Sequence, residues 1–161
     1  MNLDEWSELF VATAGASAAL AGLIIVAMSV NIETIVAAPS LPARAGATIA
    51  SLILVVVVTI AGLIPDIGSV GFGWVALVFS LVATGFGVDA TVRVIRAPGQ
   101  PPLAGPIKGA VVIVPLLAFV IGAVIMIVGI DAGIYFVAAG ILLVFVSSVV
   151  NAWVLLVEVR R

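Results

Sequence analysis

The sequence predicts an all-α membrane protein, a bundle of five transmembrane helices with the N-terminus outside and the C-terminus in the cytoplasm. Three observations predict it. Of the 161 residues, 65% are hydrophobic, against about 45–50% in a soluble domain. These residues gather in five runs, each near the roughly 20 residues that a helix needs to cross about 30 Å of hydrocarbon. Finally, all six basic residues fall on one side when the runs are threaded as five spans, whereas four or six spans would scatter them. The positive-inside rule makes that side cytoplasmic. The expected address is a multi-pass position in the plasma (inner) membrane. No block of about 50 residues is left over for a soluble domain, so residues 1–161 form a single integral membrane domain. A water-soluble enzyme, a nucleic-acid reader and a disordered tail are excluded.

The first run covers about residues 10–36. Asp4, Glu5 and Glu8 precede it, where a cleavable signal would carry basic residues, and it is too long for a signal's apolar core. It is expected to be retained. Asn2 followed by Glu5 reads as a weak helix N-cap, with Leu3, Trp6 and Phe10 on one face. The remaining runs cover about residues 45–64, 72–92, 110–129 and 134–157. Turn chemistry separates them. The first break reads Ala37-Ala38-Pro39-Ser40-Leu41-Pro42, and the second contains Pro65-Asp66-Ile67-Gly68. The third, Ala97 to Gly109, is the longest. Its prolines (Pro98, Pro101, Pro102, Pro106), with Gly99 and Gly105, argue against a regular helix and for a stiff, extended connection. The short fourth break, Ile130 to Gly133, enforces an antiparallel hairpin of the last two spans.

This threading places Arg44, Arg93, Arg96, Lys108, Arg160 and Arg161 on the cytoplasmic side. The outer side carries only acids: Asp4, Glu5, Glu8, Asp66 and Asp131. Trp6, Trp74 and Tyr135 fall at the outer interface and Trp153 near the inner one, as an aromatic belt requires. The sequence contains no cysteine and no histidine. Disulfides, haem and iron–sulfur ligation and the usual zinc sites lack their donors, and histidine-assisted nucleophilic catalysis lacks its base. No cofactor and no catalytic residue is expected. Nucleic acid is a poor partner for so few, dispersed basic residues.

Polar groups within a span are costly and so draw attention. Asn31, Asp89 and Asn151, together with Glu33 and Glu158, lie toward the cytoplasmic ends of the first, third and fifth spans. The first three are a candidate cytoplasmic polar cluster, a vestibule or docking site; equally, they fit a belt of caps and ion pairs that sets helix depth. Asp89 stands four residues before Arg93, within pairing reach on a helix. No ionisable residue lies near a span's midplane, where ion-coupled transporters usually keep one. Only hydroxyls lie deep (Ser17, Ser51, Thr59, Ser80, Thr84, Ser147, Ser148), and a hydroxyl can bond the carbonyl one turn back. Pro115, Gly85 and Gly87 could act as hinges, but proline and glycine are common in membrane helices.

Small residues form the other pattern. Gly15–Ala19 and Ala18–Gly22 are overlapping small-xxx-small pairs on the first span, and Ala118–Gly122 is another on the fourth. Such faces let helix backbones approach closely. The simpler expectation is packing inside the monomer; the sharper one is a homo-oligomer interface. Around the third break, Arg93, Arg96 and Lys108 are candidates for contact with a partner or with anionic lipid.

The segment FVATAGASAALAGLIIVAMSVNI (residues 10–32), the Leu63-Ile64-Pro65 stop and the closing NAWVLLVEVRR resemble a family of small, uncharacterised actinobacterial multi-span membrane proteins. Members are often labelled modulators of the FtsH membrane protease. The resemblance implies no catalytic residue and draws attention to Asn31 and Asn151. Together these readings point to a non-enzymatic partner or modulator of a membrane complex, acting through helix packing and a basic cytoplasmic face. The alternative is a homo-oligomeric channel for ions or small solutes. An embedded enzyme ranks behind both, because no acid–base pair or ligand set is visible.

Overall fold

The computed structural model describes residues 3–37, 40–96 and 104–157. They are helical apart from short links, and there is no strand among them. A single 3-10 turn, Leu3–Trp6, leads into α1 (Ser7–Val30), followed by α2 (Ile32–Ala37), α3 (Leu41–Gly62), α4 (Gly68–Arg96), α5 (Ala104–Ile127) and α6 (Gly133–Val157). All but α2 are long and apolar enough to cross a membrane, and these 5 helices make the fold that of a multi-pass membrane protein.

The first apolar run is not one helix, contrary to the sequence reading. It breaks at Asn31, whose backbone leaves the helical region at φ −115° and ψ 24°. In a straight helix the Asn31 N–H would bond the Ala27 carbonyl. Instead the side-chain Nδ2 donates to that carbonyl at 3.1 Å, and the backbone N–H donates to Met28 O at 3.2 Å. The side chain has replaced the backbone donor, and the helix tightens and ends. The third link is shorter than expected too. Residues 104–109, including Pro106, belong to α5. Proline is tolerated in a helix's first turn, where its missing N–H has no intrahelical partner to lose. The prolines at 98, 101 and 102 lie outside the described residues, as do Asn2 of the expected N-cap and Ala38 and Pro39 of the first break.

α3 is the hub. It packs along α1 and α4 and also meets α6, while α4 pairs with α5 and α5 with α6, which closes the circuit. The apolar window of α3 is 61% buried, whereas that of α1 is 22% buried. α1 is therefore a peripheral helix leaning on α3. Lipid tails are as apolar as leucine, so apolarity alone does not hold such helices together; close packing and hydrogen bonds do. The tightest approach joins α5 to α6, where Gly122 lies against Gly133. A Cβ added to Gly122 would stand 2.7 Å from the Gly133 carbonyl and 3.0 Å from the Val137 nitrogen. The hairpin depends on Gly129, at φ 89°. Its N–H bonds Met126 O at 3.0 Å, and the Ile130 N–H bonds Ile125 O at 3.1 Å. That pair of bonds is the left-handed glycine cap that stops α5 cleanly.

Aromatic contacts organise the acidic end of the bundle. Trp6 meets Tyr135 edge to face at 5.2 Å, and Phe10 stacks on Phe72 at 5.7 Å. Together they tie the start of α1 to α4 and α6. Leu3 and Phe10 are buried and Trp6 is half-buried, on the face expected for them. Removing the Trp6 ring should raise hydrogen exchange in the 3-10 turn and the first turn of α1 and leave α3 protected. Amide exchange mass spectrometry of Trp6→Ala checks this.

Candidate functional site

Two features stand out at the residue level: a buried polar contact at the basic end, and an open face on α1. The contact joins helices that run antiparallel. Arg44, in the first turn of α3, donates from Nη2 to Asn151 Oδ1 of α6 at 2.9 Å. Asn151 is only 6% exposed, so its amide needs a partner inside the bundle, and Arg44 supplies one from the rim. The Thr48 hydroxyl donates to the Arg44 carbonyl at 2.9 Å, one turn deeper. Beside Arg44 a gap lined by Ala90, Thr91, Val94, Gly109 and Val112 holds about 10 Å³, room for one water at most. Sequence reasoning had used Arg44 only to orient the chain. Its signal as a site residue was a lone guanidinium directly before an apolar span, facing the register of a lone asparagine.

The three residues of the expected polar cluster each find a different hydrogen-bond partner. Asn31 bonds its own helix, and Asp89 is exposed and bonds Arg93 Nε at 2.8 Å across one turn of α4. Asn151 alone is buried inside the bundle. The Asp89–Arg93 pair faces outward on the surface, where such a pair contributes little to stability. Arg93 and Arg96 are both exposed on the last turns of α4. Lys108 lies on the second turn of α5, at the same end of the bundle; its side chain is not described.

Six of the seven deep hydroxyls bond a carbonyl of their own helix, as expected for structural groups. Ser17 bonds Thr13 O, Ser51 bonds Ala47 O, Thr59 bonds Val55 O and Thr84 bonds Ser80 O, at 2.6–2.9 Å. Ser80 and Ser147 bond carbonyls three residues back, at 2.9 and 3.0 Å. The buried Ser148 hydroxyl makes no hydrogen bond. α4 runs unbroken past Gly85 and Gly87. Gly87 is packed against Leu116 and Val112 of α5, which argues against a hinge there.

The small-residue face of α1 overturns the simpler expectation for it. α1 buries the stripe Phe10, Thr13, Ser17 and Ile24. Gly15, Ala18, Ala19 and Gly22 point the other way and are exposed. A Cβ added at Gly15 or at Gly22 would meet nothing within 4 Å. This face therefore does not serve packing inside the monomer. Gly122 of the Ala118–Gly122 pair does, through its contact with Gly133. At the acidic end a cleft of about 350 Å³ lies between the N-terminal turn and the α3–α4 link, with Asp4 and Asp66 on its walls. Among the described residues no three acidic side chains gather as a metal site would need.

Comparison with family models, with curated proteins and with solved structures returned no match. The site must be read from its own geometry.

Loss of the Arg44–Asn151 bond is directly testable. A hydrogen bond to a charged group contributes about 1.5–3 kcal/mol, so Asn151→Leu should destabilise the bundle by about 2 kcal/mol. Asn31→Leu, which removes only a bond within one helix, should cost less. Denaturant titration of both variants in one detergent measures the difference.

Proposed function

We propose that the protein is a non-enzymatic partner or modulator of a membrane complex, docking laterally through the small-residue face of α1. The observation that carries this reading is the outward aim of Gly15, Ala18, Ala19 and Gly22 on a helix that is the least buried of the five spans. A small-residue stripe lets a second backbone approach closely, and close approach drives association in lipid. The chain leaves that stripe uncovered. In this reading the end bearing Arg44, Arg93 and Arg96 faces the cytoplasm of the plasma membrane, by the positive-inside rule. The FtsH-modulator label of the resembling family is consistent with such a role, but the proposal does not rest on it.

The experiment compares Gly15→Ile with Gly22→Ile, singly and together, in a tagged chain purified in native nanodiscs. Both positions have open space, so the monomer should fold as before. The expected result is that membrane proteins co-purifying with the unmodified chain are lost from the double variant. Unchanged co-purification would exclude α1 as the docking face. A symmetric ring of this chain alone, with ion flux in liposomes, would replace the modulator reading by the channel.

A further inference from the structure

The face of α1 that turns away from the bundle carries more than small residues. Glu8, Ala12, Gly15, Ala19, Gly22 and Val26 are all exposed, and they follow one another at alternating steps of four and three residues. That spacing lines them up along one side of a helix, opposite the buried stripe of Phe10, Thr13, Ser17 and Ile24. Such steps average about 3.5 residues, the period that lets a second helix follow the line at a shallow left-handed crossing. From Glu8 to Val26 is 18 residues, or about 27 Å along a helix. The line therefore runs nearly the whole of the roughly 30 Å of hydrocarbon.

It opens on an acid. Glu8 lies in the first turn of α1, and Glu5, in the 3-10 turn before it, is exposed as well. The helix dipole favours an acid anywhere in that turn, but it does not select the position in line with Gly15 and Gly22. α3 and α5 end at this end of the bundle, and α4 and α6 begin there. Among the described residues no lysine or arginine accompanies them; Arg44, Arg93, Arg96 and Lys108 all stand at the other end. Copies of one chain sit the same way up in a membrane. A second copy would therefore set Glu8 against Glu8 if it used α1, and against no lysine or arginine if it used another of these helices.

We infer that the α1 face takes a transmembrane helix of a different protein, one that carries a lysine or arginine at the level of Glu8. This inference rests on the docking role proposed for α1 and gives the partner its chemistry. Small residues along the line let the two backbones close up, and the acid at its head selects by charge. In the orientation proposed above that end is extracytoplasmic, where lysine and arginine are scarce beside a span. The requirement excludes most membrane helices, and Glu8 works against self-association as much as for the partner.

The test places a cation on the same face of the same chain. The unmodified chain and its Glu8→Lys variant, labelled at their C-termini with donor and acceptor fluorophores, are reconstituted at low density in liposomes. Pairing is read by energy transfer. The mixed pair should associate about fivefold more tightly than two unmodified chains, the upper worth of an exposed ion pair. Gly15→Ile with Gly22→Ile in both chains should abolish it. Glu8, Gly15 and Gly22 are exposed, and circular dichroism confirms the fold of each variant. Equal strength of the mixed and unmodified pairs, whether both form or neither does, overturns the partner's charge and leaves α1 as the docking face. A mixed pair that survives the isoleucines overturns both.

Discussion

Gly122→Val should be among the most damaging single substitutions in the acidic half of the bundle, at about 3 kcal/mol, the upper end of the usual cost of overpacking. Its Cβ would stand 2.7 Å from the Gly133 carbonyl and 2.9 Å from Val137 Cγ2. One of these neighbours is backbone and cannot rotate away, so α5 and α6 must separate. Separation weakens both glycine contacts at that crossing, since Gly133 packs reciprocally on the Gly122 carbonyl and on Met126. Gly15→Val is the control. It adds the same atoms to open space and should leave monomer stability unchanged. Steric-trapping or denaturant measurements in bicelles compare the two. Equal effects on monomer stability would mean that glycine content, rather than close approach, is what the fold requires.

Phe10→Ala should cost about 3 kcal/mol, the lower end of the usual range for a buried phenylalanine. The ring is fully buried, stacks on Phe72 and covers Gly62 of α3. Because hydrocarbon surrounds the protein, the loss is one of contact and not of escape from water. The lower figure is the appropriate one. The damage should be local: α1 is tied to the acidic end by this ring and by Trp6, so its first two turns should exchange faster while α5 and α6 hold. Phe10→Leu should recover part of the loss, and a variant pair at Phe72 tests whether the stack itself contributes. Thermal unfolding and amide exchange in one detergent distinguish local loosening from global destabilisation.

The number of spans and the gathering of basic residues at one end were legible in the sequence, because run length and charge are properties of composition along the chain. Which face of each helix turns inward was not. In water a buried face differs from a wet one by its apolarity and leaves a period of 3.6 residues. In lipid both faces are apolar, and in α1 the outward Val11, Leu23 and Val26 are as hydrophobic as the inward Phe10 and Ile24. The small stripe from Gly15 to Gly22 was visible as a motif, but its direction was not. Arg44 was hidden for a different reason. Its partner Asn151 lies 107 residues away, and no local pattern announces so distant a pairing. Pro106 misled because proline was read as a breaker, although the first turn of a helix accommodates it.

The path of the chain through the bundle has a consequence for how the protein is made. After α1, which meets α3 across the short α2, each long helix packs against the one translated just before it: α4 on α3, α5 on α4, α6 on α5. An insertion machine releasing helices one at a time therefore never holds a segment that must wait for a distant mate. The contacts of α6 with α3 and α1, and a slight one of α5 with α3, are the exceptions. Until α6 enters, the Arg44 side chain lacks Asn151, and the inner surface of α3 opposite α6 is open to lipid. The Arg44–Asn151 bond is thus the clasp that biosynthesis fastens last, and its loss should be felt in membrane insertion yield as well as in stability.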